Sequence, residues 1–167
     1  VEKRVQPIYP IRWIVGREPI SHFKSALHTE ILNIMNITGE DESVWMEEFV
    51  KEDTELWESK GSTHWSPELW KSLYNAYMSL PKSKIPQFVH LKDLSGFLLN
   101  EFGFEVPYKS EDYEFRYYDK WMDKESIFNY LSEKYPTEME SLLAKVEEDT
   151  KYYNAFLSGD RSLVKLF

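Results

Sequence analysis

His22, His28, His64 and His90 are the chain's four histidines, and metal chemistry or proton transfer near neutral pH would draw on them first. His22 and His28 stand six apart on one expected helix, so their side chains diverge by about 120° and form no i, i+4 clamp. His64 falls in a turn beside Trp65, and His90 precedes Leu91 with Asp93 three residues on. Scattered helix-end or surface histidines are the plain reading, and no metal site or cofactor is expected. The carboxylates form runs at Glu40-Asp41-Glu42, Glu47-Glu48, Glu52-Asp53, Glu111-Asp112 and Glu147-Glu148-Asp149. Adjacent acids on a helix point to different sides, so these runs read as solvated faces and not as preset acid–base couples.

The aromatic group Tyr113, Phe115, Tyr117, Tyr118 and Trp121, with Tyr108 before it, is the feature that best suits recognition. Together with Arg116 it could present a binding surface, because exposed aromatics and arginine dominate interface hot spots. The plain alternative is that these rings pin a long loop to the core. Interleaved acids, Glu111, Asp112, Glu114 and Asp119, weigh against base stacking on nucleic acid.

Composition narrows the classes further. The chain has 167 residues, 42% hydrophobic and 16% aromatic, enough for one packed domain and too apolar for disorder. A net charge of −9 without a Lys/Arg cluster argues against a nucleic-acid partner. With no cysteine, disulfides, thiolate metal sites and cysteine nucleophiles are excluded, and a reducing cytosol is allowed but not required; a cytoplasmic setting is expected. No apolar run reaches the roughly 20 residues that cross a bilayer, so no membrane association is expected. The start VEKRVQPIYP has no secretory core, and opening on Val1 admits a processed chain or a piece of a longer one. Phosphate-cradling glycine loops, the G-x-S-x-G elbow and H-E-x-x-H are absent, and the six glycines occur singly.

These side chains need a frame. Residues 7–10, P-I-Y-P, favour extended geometry, and Ile11 to Val15 closed by Gly16 read as a short strand, making 1–16 an extended arm. Pro19 opens a helix to about Asn36, with Ile20, Phe23, Leu27 and Ile31 inward and Lys24, His28 and Glu30 outward or at the edge. Ser43 starts a second helix, and Ser66-Pro67-Glu68 starts a third that runs to Leu80. Residues 85–104 carry the densest apolar content: Leu91, Leu94, Phe97, Leu98 and Phe102 recur at helical spacing, and Gly103 ends the run. A helix this apolar is expected at the centre of the fold, with Phe104 folding back onto Leu99. Residues 104–122 read as an irregular aromatic-rich segment. Asp123 or Lys124 opens a helix to Tyr135, Pro136 breaks it, and Thr137 caps a last helix along Met139, Leu142, Leu143, Val146, Tyr153, Phe156 and Leu157 that Ser158-Gly159-Asp160 closes.

Within that apolar stretch, Ile85-Pro86-Gln87, then Leu91 to Leu98, then Gly103-Phe104, resembles a segment that precedes the active site of pterin-dependent aromatic amino acid hydroxylases. The likeness covers about twenty residues and needs a small insertion at Phe88 to His90. It implies an iron held by two histidines and a glutamate farther along, but no histidine follows His90 and no site residue is carried over. The family is not assigned.

The expected fold is therefore mainly α, a single compact helical domain over 1–167 with about six helices and one or two short extended segments. The expected function is a non-catalytic, acidic protein-interaction module, such as an inhibitor, immunity-type protein or accessory subunit. It would bind a protein partner through exposed aromatics and carboxylates, with Tyr113, Phe115, Arg116, Tyr117, Tyr118 and Trp121 as binding residues. The alternative is a small enzyme or ligand-binding domain whose pocket gathers distant His, Glu and Tyr side chains. The oligomeric state is not legible.

Overall fold

The structure, a computed structural model, describes residues 12–33, 65–105 and 123–165, together with Ser43 and Met46. Strand β1 (Trp13–Gly16) leads into helix α1 (Pro19–Asn33), and α2 (Leu69–Tyr77) follows in the next described stretch. A 3-10 turn (Lys82–Lys84) then precedes β2 (Gln87–His90), a second 3-10 turn (Leu91–Asp93) and α3 (Leu94–Phe102). Helices α4 (Lys124–Lys134) and α5 (Pro136–Ser158) complete the described order. The architecture is mainly α and compact, with five α-helices and a two-stranded parallel sheet among the described residues.

Helix α5, at 23 residues, is the axis of the fold. Thr137 is not its cap as expected: Tyr135 holds that position, Pro136 occupies the first turn, where the missing N–H costs nothing, and Gly159 at φ 72° closes the helix. Its inward stripe serves two clusters in succession. Met139, Leu142 and Val146 pack with Phe23, Ala26 and Leu27 of α1, Ile127 and Leu131 of α4, and Met46 and Trp65. Tyr152, Tyr153, Ala155 and Phe156 pack with Trp70 and Tyr74 of α2 and with Met78. Trp70 is the hub of the second cluster, with ring centroids 4.9 Å from Tyr153, 5.5 Å from Phe88 and 5.6 Å from Phe156. Side-chain alternation splits the sheet's two faces. Ile14 and Phe88 join the α2/α5 cluster, while Trp13 meets Phe97 and Phe102 of α3. Gly16 permits the close approach: a Cβ there would lie 2.9 Å from Cζ2 of Trp70.

Several expectations are corrected by this arrangement. The apolar stretch before Gly103 is not the centre of the fold, because α3 contains no buried residue. Its Leu94, Phe97 and Leu98 are only half-buried against the sheet side. Just before it, Gln87–His90 form the parallel partner of β1, in the register Trp13↔Gln87 to Gly16↔His90. Beyond the helix end, Phe104 N–H returns to Leu98 O at 3.3 Å, and its ring stacks on Phe102 at 5.8 Å and is 61% exposed. In α1, Phe23 and Leu27 are buried as expected, but Ile20 is exposed and Glu30 is buried. The helix expected from Ser43 falls outside the described residues apart from Ser43 and Met46, both helical.

The start of α2 shows how packing overrides a local signal. Ser66-Pro67-Glu68 has the composition of a helix start, yet the helix begins at Leu69 and Glu68 makes no side-chain cap. The cap comes from α5: Asp149 Oδ2 accepts from Trp70 N at 3.1 Å and Oδ1 from Lys71 N at 2.9 Å. One carboxylate thus satisfies two of the four N–H groups that a helix start leaves open. At the other end of the same pair of helices, Tyr74 Oη donates to Asp160 O at 2.7 Å and accepts from Leu163 N at 3.2 Å. That hydroxyl fastens the segment after α5 onto the second cluster, where Leu163 and Val164 pack.

Candidate functional site

Two surfaces near the parallel strands have the residue types for function. The first lies where both strands end. His90, the last residue of β2, places Nε2 2.6 Å from Glu18 Oε2, two residues beyond the end of β1. Its Nδ1 accepts from Lys92 N at 3.1 Å, so the ring proton resides on Nε2 and is donated to Glu18. The backbone N–H of Glu18 itself, the His90 ring and Ser21 hold that carboxyl below the usual glutamate range. Burial pushes the Tyr153 phenol up, and the nearby Glu18 charge adds to the effect.

This His–Glu pair looks like a catalytic dyad, but its hydrogen bonds are those of a clip. Both ring nitrogens are engaged, one by a backbone N–H and one by the carboxylate, so neither is placed to take a proton from a substrate. The pair ties the approach to α1 to the turn that launches α3. Among the described residues no group of three or more His, Cys, Asp or Glu could hold a metal ion. His22 and His28 lie half-buried on α1, and His28 contributes to lowering the Asp123 carboxyl at the start of α4, after the Ser126 hydrogen bonds. His64 lies outside the described residues.

The second surface is the outer flank of α3. Leu91 is 46% exposed, Leu99 49% and Phe102 45%. At the helical rotation of about 100° per residue, Leu99 and Phe102 are neighbours one turn apart, and Leu91 is exposed in the 3-10 turn that precedes the helix. The Trp13 ring stands edge-on to Phe97 at 5.6 Å and to Phe102 at 5.5 Å, which fixes the angle at which the flank projects. Phe102 and Phe104 stack nearly parallel, at 17°, and extend the apolar row past the helix end. The left-handed Gly103, at φ 68°, directs Phe104 there, with its N–H returned to Leu98 O.

Asp93 lies at one end of this row and Glu101 and Glu105 at the other, all exposed. None of the three is in an ion pair among the described residues. Helix α3 has no basic residue in its last turn, so Glu101 adds to the negative end of the helix dipole and is not offset locally. The site therefore combines exposed aromatic and aliphatic side chains with uncompensated negative charge.

The binding residues expected from sequence, Tyr113, Phe115, Arg116, Tyr117, Tyr118 and Trp121, lie outside the described residues. The exposed apolar row runs against expectation, since its density points to the core. A usable signal is nonetheless present: apolar residues at 91, 94, 97, 98, 99 and 102 span more of the helix circumference than one neighbouring layer covers. Asp149 escapes sequence reasoning as well. It reads with Glu147 and Glu148 as a solvated run, although it is 4% exposed. It falls three after Val146 and four before Tyr153, inside the buried stripe, and that spacing marks it. Burial pushes its carboxyl up, against the Lys71 and Trp70 N–H groups that pull it down.

No helix of the described residues is long and apolar enough to cross a membrane. No protein-family model, curated protein or solved structure matches the chain.

Proposed function

We propose that the chain is a non-catalytic protein-interaction module, of the inhibitor, immunity-type or accessory-subunit kind, and that a protein partner docks on the apolar flank of α3. The observation that carries this reading is a helix without a buried residue that exposes Leu99 and Phe102, with Leu91 and Phe104 continuing the row. Exposed apolar groups in one row, bordered by charge, are what a docking surface offers, whereas scattered ones are ordinary. The partner is a different chain with basic groups, because two copies carrying −9 each would repel. A cytoplasmic setting belongs to the same reading, and the absence of cysteine allows a reducing compartment without requiring one. On sequence grounds alone, the aromatic residues between Tyr113 and Trp121 belong to the same recognition role.

The test is site-specific photo-crosslinking in the native cell extract, with the reactive group at position 99 and, as a control, at Glu140 on the exposed side of α5. The reading expects one protein partner joined at 99 and not at 140, and lost when Phe104→Ser is introduced. Equal labelling at both positions, or none at 99, would remove the interaction reading.

A further inference from the structure

Shape and charge on the same flank also define the partner's docking element, an inference that rests on the interaction reading. We infer that the element seated on α3 is a basic amphipathic helix of about three turns. Leu99 and Phe102 form a row along α3, whose nine residues span about 13 Å at the helical rise, and Leu91 adds to it from the 3-10 turn before the helix. Leu99 and Phe102 are an i, i+3 pair, the spacing of the ridges that pack into the grooves of another helix. A strand is the poorer fit, because the N–H and C=O groups of α3 are committed to its own turns and offer no edge. The half-buried Phe97 and the Trp13 ring back the row from the inside, so the ridge is held in place before a partner arrives.

Charge selects among amphipathic helices. Asp93, Glu101 and Glu105 stand at the two ends of the row, exposed and without ion pairs among the described residues, and Lys92 is the one base between residues 91 and 105. The C-terminal end of α3 adds its own negative dipole to Glu101 and Glu105. That end is unfavourable for the isolated chain and becomes favourable when Lys or Arg is set against it. An acidic or neutral helix would leave it uncompensated. The partner helix therefore carries Leu or aromatic residues at i, i+3/i+4, i+7 and i+11, with Lys or Arg concentrated over Glu101 and Glu105 and a further base near Asp93.

The experiment uses two synthetic fluorescent peptides with the same Leu stripe on a stable helical host, one flanked by Lys and Arg and the other by Glu. Binding to the full chain is read by anisotropy at low and high salt. The basic peptide is expected to bind on the order of tenfold tighter than the acidic one, with the difference shrinking as salt rises. Joint Glu101→Lys and Glu105→Lys substitution should invert the preference, and Leu99→Ser should weaken both peptides. Equal affinities, or a preference that survives charge reversal, would overturn the basic helix while a partner crosslinked at position 99 would leave the interaction reading standing. A self-associating wild-type chain that Leu99→Ser disperses in sedimentation would assign the flank to a second copy and overturn the inference.

Discussion

Of helices α3 and α5, α3 is the more apolar in composition, and α5, rich in charge, is the one that lies in the core. In α5 the apolar residues repeat along a single stripe and meet α1, α4 and α2 in turn, so that eight of its residues are buried. In α3 they spread around the helix, and among the described residues only the side toward β2 and Trp13 finds a neighbour. Apolar density alone therefore does not decide burial. What decides it is whether the stripe is continuous and whether other elements supply matching stripes.

The largest expected effect tests the buried half of that comparison. Trp70→Ala removes the ring on which α2, α5 and β2 converge and should cost about 3–5 kcal/mol in denaturant unfolding, the usual range for an emptied aromatic site. Leu142→Ala in α5, at a fully buried site, falls within about 2–5 kcal/mol. Leu98→Ala in α3 should cost clearly less, because its side chain is half-buried. Equal losses for Leu142 and Leu98 would break the contrast.

The buried Asp149 cap gives the next effect. Asp149→Ala leaves the Trp70 and Lys71 N–H groups without their acceptor and should cost about 1–3 kcal/mol. Gly16→Ala tests the same layer from the other side. Its new Cβ would lie 2.9 Å from the buried Trp70 ring, and overpacking of this kind costs about 1–3 kcal/mol.

The acid limb of stability distinguishes the two carboxylates by sign. The Glu18 carboxyl is held below its ordinary value of 4.5, so its contribution is full above that pH and is lost as pH falls through the folded-state value. Asp149 is raised above 3.8, so its protonated form is favoured by folding and stability declines as pH rises through the interval above 3.8. Glu18→Gln should therefore flatten the acid loss below pH 4.5, measured by melting across pH, and Asp149→Asn should not.

Much of the frame was legible from the residues. The strand ending at Gly16, the helix opened by Pro19, the Asp123 cap on Ser126 and the long last helix closed by Gly159 all follow local rules that the structure keeps. The parallel pairing of β1 with Gln87–His90 was not legible, because it joins segments more than seventy residues apart and Gln-Phe-Val-His has no alternation to announce it. The Glu18–His90 clip depends on that pairing and was hidden with it. Asp149 was hidden for a different reason: its partners are backbone groups of a distant helix, which leave no mark in side-chain types. The exposed flank of α3 misleads because apolar density is not periodicity.

The smallest expected effect bears most directly on the central claim, that the α3 flank is a docking surface outside the core. The measurement is the denaturant stability of the chain carrying Leu99→Ser and Phe104→Ser together, two side chains 49% and 61% exposed. Stability within about 0.5 kcal/mol of the unchanged chain, the usual span for surface sites, is the predicted result. A loss of about 4 kcal/mol or more, in the range for truncating two buried apolar side chains, would place the flank in the core and contradict the account.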